Sequence, residues 1–222
     1  MKYVVKNLNI ENLLHKNISK KKYLYIFFLF STTFFIVVFL TKLLLYLKGY
    51  SNHEILMYSN ALWNTNLKAI LVSDLNNFYP GQTLFLDHFY ITLLTLFPIY
   101  KLFPTPITLL LIQTLTPIIS GYLILLICKE LKINSIFSLA FSLVYIFNIV
   151  NVLGTIDGVY GFHVDCLIPV FFFLTYYAFL KKNIFLYSLS FFLLLGVKED
   201  LLIYSTFICL LGYFYFIYLK KI

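Results

Sequence analysis

From Tyr23 to Leu47 the chain runs apolar well past the ~20 residues a helix needs to cross a ~30 Å hydrocarbon core, and further apolar runs follow almost to its last residue. Backbone in lipid must satisfy its own hydrogen bonds, which leaves helices and closed barrels as spanning structures. Runs of this length are helical. A hydrophobic content of 61%, with 20% aromatic residues and a mean hydropathy of +0.89, leaves too little polar surface for a soluble domain of 222 residues. The expected fold is all-α, a polytopic integral membrane bundle in the lipid bilayer.

Charge sets the orientation. The first 22 residues are polar and end in Lys20, Lys21 and Lys22. No small-residue cleavage site follows, so Tyr23–Leu47 reads as an uncleaved first span after a cytoplasmic segment 1–22, with a membrane domain over 23–222. The net charge of +8 comes from lysine alone. Its distribution is that of membrane topology rather than of a nucleic-acid site, and no nucleic-acid partner is expected. Cys128, Cys166 and Cys209 sit singly in apolar runs, without the spacing of a disulfide framework or a zinc site.

The long polar segment 48–106 is the expected extracytoplasmic loop. Its second part, "HFYITLLTLFPIYKLFPTP", is apolar enough to span, but a span here would scatter the lysine pairs 129/132, 181/182 and 220/221 across both sides. Laid along the outer surface, it puts all three inside. Five further spans then follow: Ile107–Cys128, Ser135–Val152, Val164–Leu180, Ile184–Val197 and Leu201–Leu219. The six-span chain has both termini cytoplasmic, as expected of a plasma-membrane protein of the cell envelope. Glu54, Asp74, Asp87, Asp157, Asp165, Glu199 and Asp200 all lie outside, and only Glu11 and Glu130 lie inside.

Four polar clusters thereby meet at the outer face: "NHEILMYSNALWNT", "LDHF", "GFHVD" and "VKED". Carboxylates, histidines and a lysine in one place can deprotonate a hydroxyl, position a phosphate or bind a divalent metal, and the residues alone do not choose among these. The span before Lys198, Glu199 and Asp200 is short, so the triplet reads either as a self-neutralised turn or as the floor of a pocket below the lipid surface. Asp87 suits the N-terminus of the helix it precedes as well as a catalytic role. His163 and Asp165 lie in a Gly-rich loop, as interfacial residues or as ligands. Trp63 reads as an interfacial anchor or as a sugar-stacking surface.

Several short stretches together resemble an uncharacterised prokaryotic family of predicted membrane proteins that is similar to the GT-C class of membrane glycosyltransferases. They are "ALWNT" (Ala61–Thr65), "DHF" (Asp87–Phe89), "FPIYKLFPTPITLLLIQTL" (Phe97–Leu115), "FH" with a later Pro (Phe162, His163, Pro169) and "KED" (Lys198–Asp200). The resemblance implies a first span, an outer loop with surface-lying helices and a catalytic carboxylate, and transfer of a sugar from a polyprenyl-phosphate donor. Glu54 stands where that family has Asp, while Ser59 replaces its second acid and Asn60 a Gln. The chain is also shorter than GT-C proteins generally are, as expected of a compact or truncated member or of one completed by a partner subunit.

The expected activity is therefore a GT-C-like transfer of lipid-linked sugar on the extracytoplasmic side. Glu54, Asp87 and His88 are the catalytic candidates, and Lys198, Glu199, Asp200, His163, Asp165 and Trp63 are the substrate-binding ones. A metal cofactor is left open. The competing readings are a transporter or flippase-like permease and a non-catalytic membrane subunit.

Overall fold

The computed structural model describes residues 20–50, 53–76, 79–86, 88–156 and 160–203. The first element, α1 (Lys20–Leu47), contains neither Pro nor Gly and is apolar on every side. At 1.5 Å per residue it is ~42 Å long, enough to cross a bilayer. One stripe, Phe27, Ser31, Phe34, Val38 and Lys42, is buried, at the three- and four-residue spacing of a helix face. Phe28, Leu29, Val37, Leu40 and Leu44 point outward, as lipid-facing side chains do.

The loop after α1 folds as a small layer. It comprises α2 (His53–Asn64) and a two-stranded antiparallel ribbon of β1 (Val72–Ser73) and β2 (Gln82–Thr83), in register Val72↔Thr83. A 3-10 turn over Ile91–Leu96 leads directly into α3 (Phe97–Leu102). This is the segment expected to lie on the surface. It buries Leu93, Leu96 and Tyr100 in one core with Ile55, Tyr58, Ala61 and Leu62 of α2, and it exposes Ile99, Leu102 and Phe103.

Central to the bundle is α4 (Pro106–Glu130), which opens with Pro at its first position, where no intrahelical N–H is needed. Helix α5 (Ser135–Ile146) packs closely on it at Gly121. Ser142 Oγ donates to the Gly121 carbonyl at 2.7 Å, and a Cβ on Gly121 would lie 2.6 Å from Ile146 Cδ1. Small residues at a crossing are how membrane helices approach without a hydrophobic drive between them.

The expected single span Ser135–Val152 is broken. Helix α5 ends at Ile146, and α6 (Ile149–Ile156) continues at a bend of 41°. The cause is Asn148, whose side chain accepts from Val150 N at 2.8 Å and so caps a new helix. Asn151 Nδ2 also donates to the carbonyl of Tyr145, which accepts from Asn148 N at 3.4 Å as well, so the break leaves that carbonyl bonded.

The chain continues through a 3-10 turn (Val164–Leu167) into α7 (Ile168–Leu180), then α8 (Ile184–Leu195). The links α4–α5 and α7–α8 are alike. Each places a lysine at positive φ, Lys132 at 57° and Lys182 at 55°. The next N–H returns to the helix it leaves: Ile133 N bonds Cys128 O at 2.9 Å, and Asn183 N bonds Ala178 O at 3.0 Å. An asparagine, Asn134 or Asn183, then caps the following helix. A 2.8 Å ion pair between Lys181 and Glu130 joins the two turns, so these two lysine turns lie at one end of the bundle, while the third expected pair, 220/221, lies outside the described residues.

Among the described residues, two helices, within Lys22–Leu47 and Pro106–Glu130, are long and apolar enough to cross a membrane, and the bent pair α5–α6 makes a third candidate. Val164–Leu180 and Ile184–Leu195 are shorter apolar helices. Of the expected sixth span, Leu201–Leu219, all but its first residues lies outside the described residues.

Candidate functional site

The end opposite the lysine turns gathers the polar groups. Helix α2 is fixed there from several sides: Ile55 N donates to Tyr160 O at 3.2 Å, Ser73 Oγ to Met57 O at 3.1 Å, and Asp74 N to Asn60 Oδ1 at 3.0 Å. Ser59 is buried and shares a hydrogen bond with the Tyr100 hydroxyl. Ser59 and Asn60, where the sequence departs from the resembling family, thus serve packing here.

This anchoring puts Glu54, in the first turn of α2, beside the 160–165 loop. His163 Nε2 lies 3.3 Å from Glu54 Oε2, and His163 Nδ1 lies 3.8 Å from Asp165 Oδ2. One imidazole is therefore flanked by two carboxylates, and the Tyr160 ring stands edge-on to it. A histidine so placed is within reach of a carboxylate to pass a proton.

One turn along α2, Tyr58 is buried and donates to the Tyr90 hydroxyl at 3.1 Å. Burial, then the Tyr90 phenol and the Glu54 carboxylate, push the Tyr58 hydroxyl well above its usual range. It stays a protonated donor. Tyr90 in turn packs edge-on against His88, so the tyrosine pair separates two histidine–carboxylate pairs.

The second of these pairs is His88 with Glu199. His88 Nδ1 lies 2.6 Å from Glu199 Oε1, and Phe89 N donates to Glu199 Oε2 at 3.2 Å. Sequence reasoning paired Glu199 with Lys198 beside it, and the structure pairs it with a histidine from the outer loop instead. The docking just before it explains why. Thr92 N donates to Gly196 O at 2.9 Å and Thr92 Oγ1 donates to Leu193 O, so the loop satisfies the carbonyls at the end of α8. A Cβ on Gly196 would come within 2.9 Å of Thr92 Oγ1, so the approach needs glycine. The loop lies over the end of this short helix, and the acid following it reaches His88.

Partial desolvation raises the Glu199 carboxyl. Hydrogen bonds from His88 and from backbone N–H groups at Glu199 and Phe89 outweigh it and hold the group at about 2. A carboxyl held below its ordinary 4.5 adds stability that is complete above pH 4.5 and is lost as pH falls toward 2. Glu199 is 45% exposed, so solvent screens the pair and the effect is modest. Protection of the Phe89 amide from hydrogen exchange, taken relative to its intrinsic rate at each pH, should fall over that window in the wild type. In Glu199→Gln the protection should be low throughout, and wild-type protection in that variant would dissolve the clamp.

The other expected site residues fall as follows. Trp63 sits at the far end of α2, 57% exposed, with Lys101 Nζ 5.4 Å from its ring and bonded to its carbonyl. It is apart from Glu54. Asp200 is exposed, and Lys198 is half-buried without an ion pair among the described residues. Asp87 lies outside the described residues. Among the described residues no three His, Cys, Asp or Glu side chains are grouped to hold a metal ion.

Beneath His163 and Asp165 a cavity of about 270 Å³ enters the bundle, lined also by Gln113, Thr116, Asn151 and Thr155. None of Lys198, Glu199 or Asp200 lines it. Lys42, only 1% exposed within the first span, donates to Thr155 O at 2.7 Å. It thereby meets a carbonyl in the last turn of α6, where the helix dipole favours a cation. Sequence reasoning missed Lys42 and Gln113, yet a lysine inside "FLTKLLL" and a glutamine inside "LLIQTLT" are legible signals, because polar groups in a span mark function.

Comparison with protein families gives one match: residues 50–215 fit the model of a family described as "Predicted membrane protein (DUF2079)". The chain belongs to this family. The match takes in the Glu54–His163–Asp165 cluster, the His88–Glu199 clamp and the whole cavity lining, whereas Lys42 precedes it. No curated protein and no solved structure matches the chain.

Proposed function

We propose that the chain is a GT-C-like membrane glycosyltransferase that takes its sugar from a polyprenyl-phosphate donor on the extracytoplasmic side. The observation that carries this reading is the placing of His163 between Glu54 and Asp165 at the mouth of the cavity. Glu54, with His163 beside it, accepts the proton of the acceptor hydroxyl. The acceptor oxygen bonds to the anomeric carbon, and the carbon–oxygen bond to the phosphate breaks with its electron pair leaving on the lipid phosphate. Lys198 supplies a cation for that phosphate. The His88–Glu199 clamp holds the outer loop over the site and is a positioning contact. Asp87, beside His88 in sequence, remains a proposed acceptor or metal contact.

Transfer of labelled sugar from a polyprenyl-phosphate donor in proteoliposomes tests the reading. Failure with every donor would overturn it. The sidedness is tested separately: cysteines at Lys132 and Lys181 should resist an impermeant maleimide added outside, and one at Tyr79 should react. Labelling of Lys132 and Tyr79 from the same side would break the topology.

One observation favours a second reading. An apolar helix pair broken beside a cavity with polar residues in its wall is a feature of permeases, whose substrates bind at such breaks. That reading predicts uptake or flipping of a solute by the same proteoliposomes without bond cleavage.

A further inference from the structure

The cavity carries an unassigned site. Gln113 is 1% exposed and lines the cavity, and its Nε2 donates weakly, at 3.4 Å, to Gly154 O. Its Oε1 is buried and accepts nothing. A buried amide oxygen without a donor is costly, and native structures rarely keep one unless something fills the need. Asp165, across the same space, presents a second acceptor.

The missing partner is therefore a hydrogen-bond donor, and charge narrows its class. A phosphate in this space would face the Asp165 carboxylate. An ammonium would face Lys42, one hydrogen bond away at Thr155 O. Uncharged hydroxyls meet neither objection, since they donate to Gln113 and Asp165 and accept from whatever donors remain.

The cavity wall shows the route in. Val150 lines the cavity yet is 73% exposed on the outside of the bundle, at the break between α5 and α6. Ile149 and Leu153 lie exposed beside it, an apolar track suited to an acyl chain. The geometry points to a lateral pocket for the hydroxyl-bearing head group of a membrane lipid, entering at the α5–α6 break with its chains along Ile149, Val150 and Leu153. The hydroxyl then lies next to His163 and Asp165, where it would serve as the sugar acceptor. That role rests on the transferase reading, whereas the binding does not.

The test uses the full chain in nanodiscs, with retained lipid counted by native mass spectrometry. Phosphatidylglycerol, which carries free hydroxyls, is compared with phosphatidylmethanol, which has the same charge and none. Wild type should retain phosphatidylglycerol in preference by about tenfold, the worth of one well-made hydrogen bond. Gln113→Leu keeps the volume and removes the orphaned oxygen, so its Tm should be equal or higher while the preference disappears. Equal retention of both lipids by the wild type, or a preference surviving in Gln113→Leu, overturns the pocket. Displacement of the lipid by millimolar free glycerol overturns the lateral route in favour of a soluble polyol. If sugar transfer is observed but Gln113→Leu keeps the preference, the pocket falls and the transferase stands. Loss of the preference with no transfer from any donor leaves the pocket standing and removes the transferase.

Discussion

Glu54→Gln lowers sugar transfer by about 100-fold or more at equal amounts of folded protein, the usual contribution of a positioned general base. Glutamine keeps the length and the hydrogen-bonding capacity of the side chain, so His163, 3.3 Å away, still has an oxygen to meet. What goes is the carboxylate charge proposed to receive the acceptor proton. The loss therefore appears in turnover and leaves Tm nearly unchanged. Glu54→Asp retains part of the activity, because a shorter carboxylate keeps the charge and loses only some of the reach. Equal turnover for wild type and Glu54→Gln would remove this residue from the chemistry.

Gly121→Val destabilises the bundle by ~2–3 kcal/mol, a typical cost of overpacking a tight contact. The first atom added would lie 2.6 Å and 2.7 Å from Ile146 Cδ1 and Cγ1, and 3.1 Å from Ser142 Oγ. Relief means parting α4 from α5 and stretching the Ser142–Gly121 hydrogen bond, which also shifts the break at Asn148 that shapes the cavity. Gly154→Ala is the control. A Cβ there meets nothing within 4 Å, and the residue lies in a helix, so the change should be neutral or stabilise by ~0.5–1 kcal/mol. Thermal unfolding in detergent separates the two variants. Equal Tm values would mean that α4 and α5 do not pack closely at Gly121.

The parts of the fold that are legible in the sequence are those set by local chemistry. The apolar run of α1, the Pro that opens α4 and the Lys–Asn turns after α4 and α7 are all written in adjacent residues. The convergence of "NHE", "DHF", "GFHVD" and "VKED" on one end follows from counting spans and lysines. Which acid meets which histidine does not. His88 and Glu199 are 111 positions apart, and their meeting depends on Thr92 capping α8 and on Gly196 admitting it. From sequence alone Lys198, adjacent to Glu199, looked the better partner.

The break in the expected third span was hidden for a related reason. "FNIVNVL" lies within a mostly apolar run whose two asparagines can also be carried inside one helix, and only the side chain of Asn148 turning back to Val150 N makes it a cap. Lys42 was passed over because it is a single charge in a long run. Its acceptor, Thr155, lies 113 positions away.

Mass spectrometry of polyprenyl-phosphate sugars in cells lacking this protein tests the central claim most directly. The account predicts that the donor accumulates in the deletion, returns to its normal level when wild type is restored, and stays high when Glu54→Gln is supplied at the same abundance. A donor pool unchanged by the deletion, or normalised equally by Glu54→Gln, would contradict it.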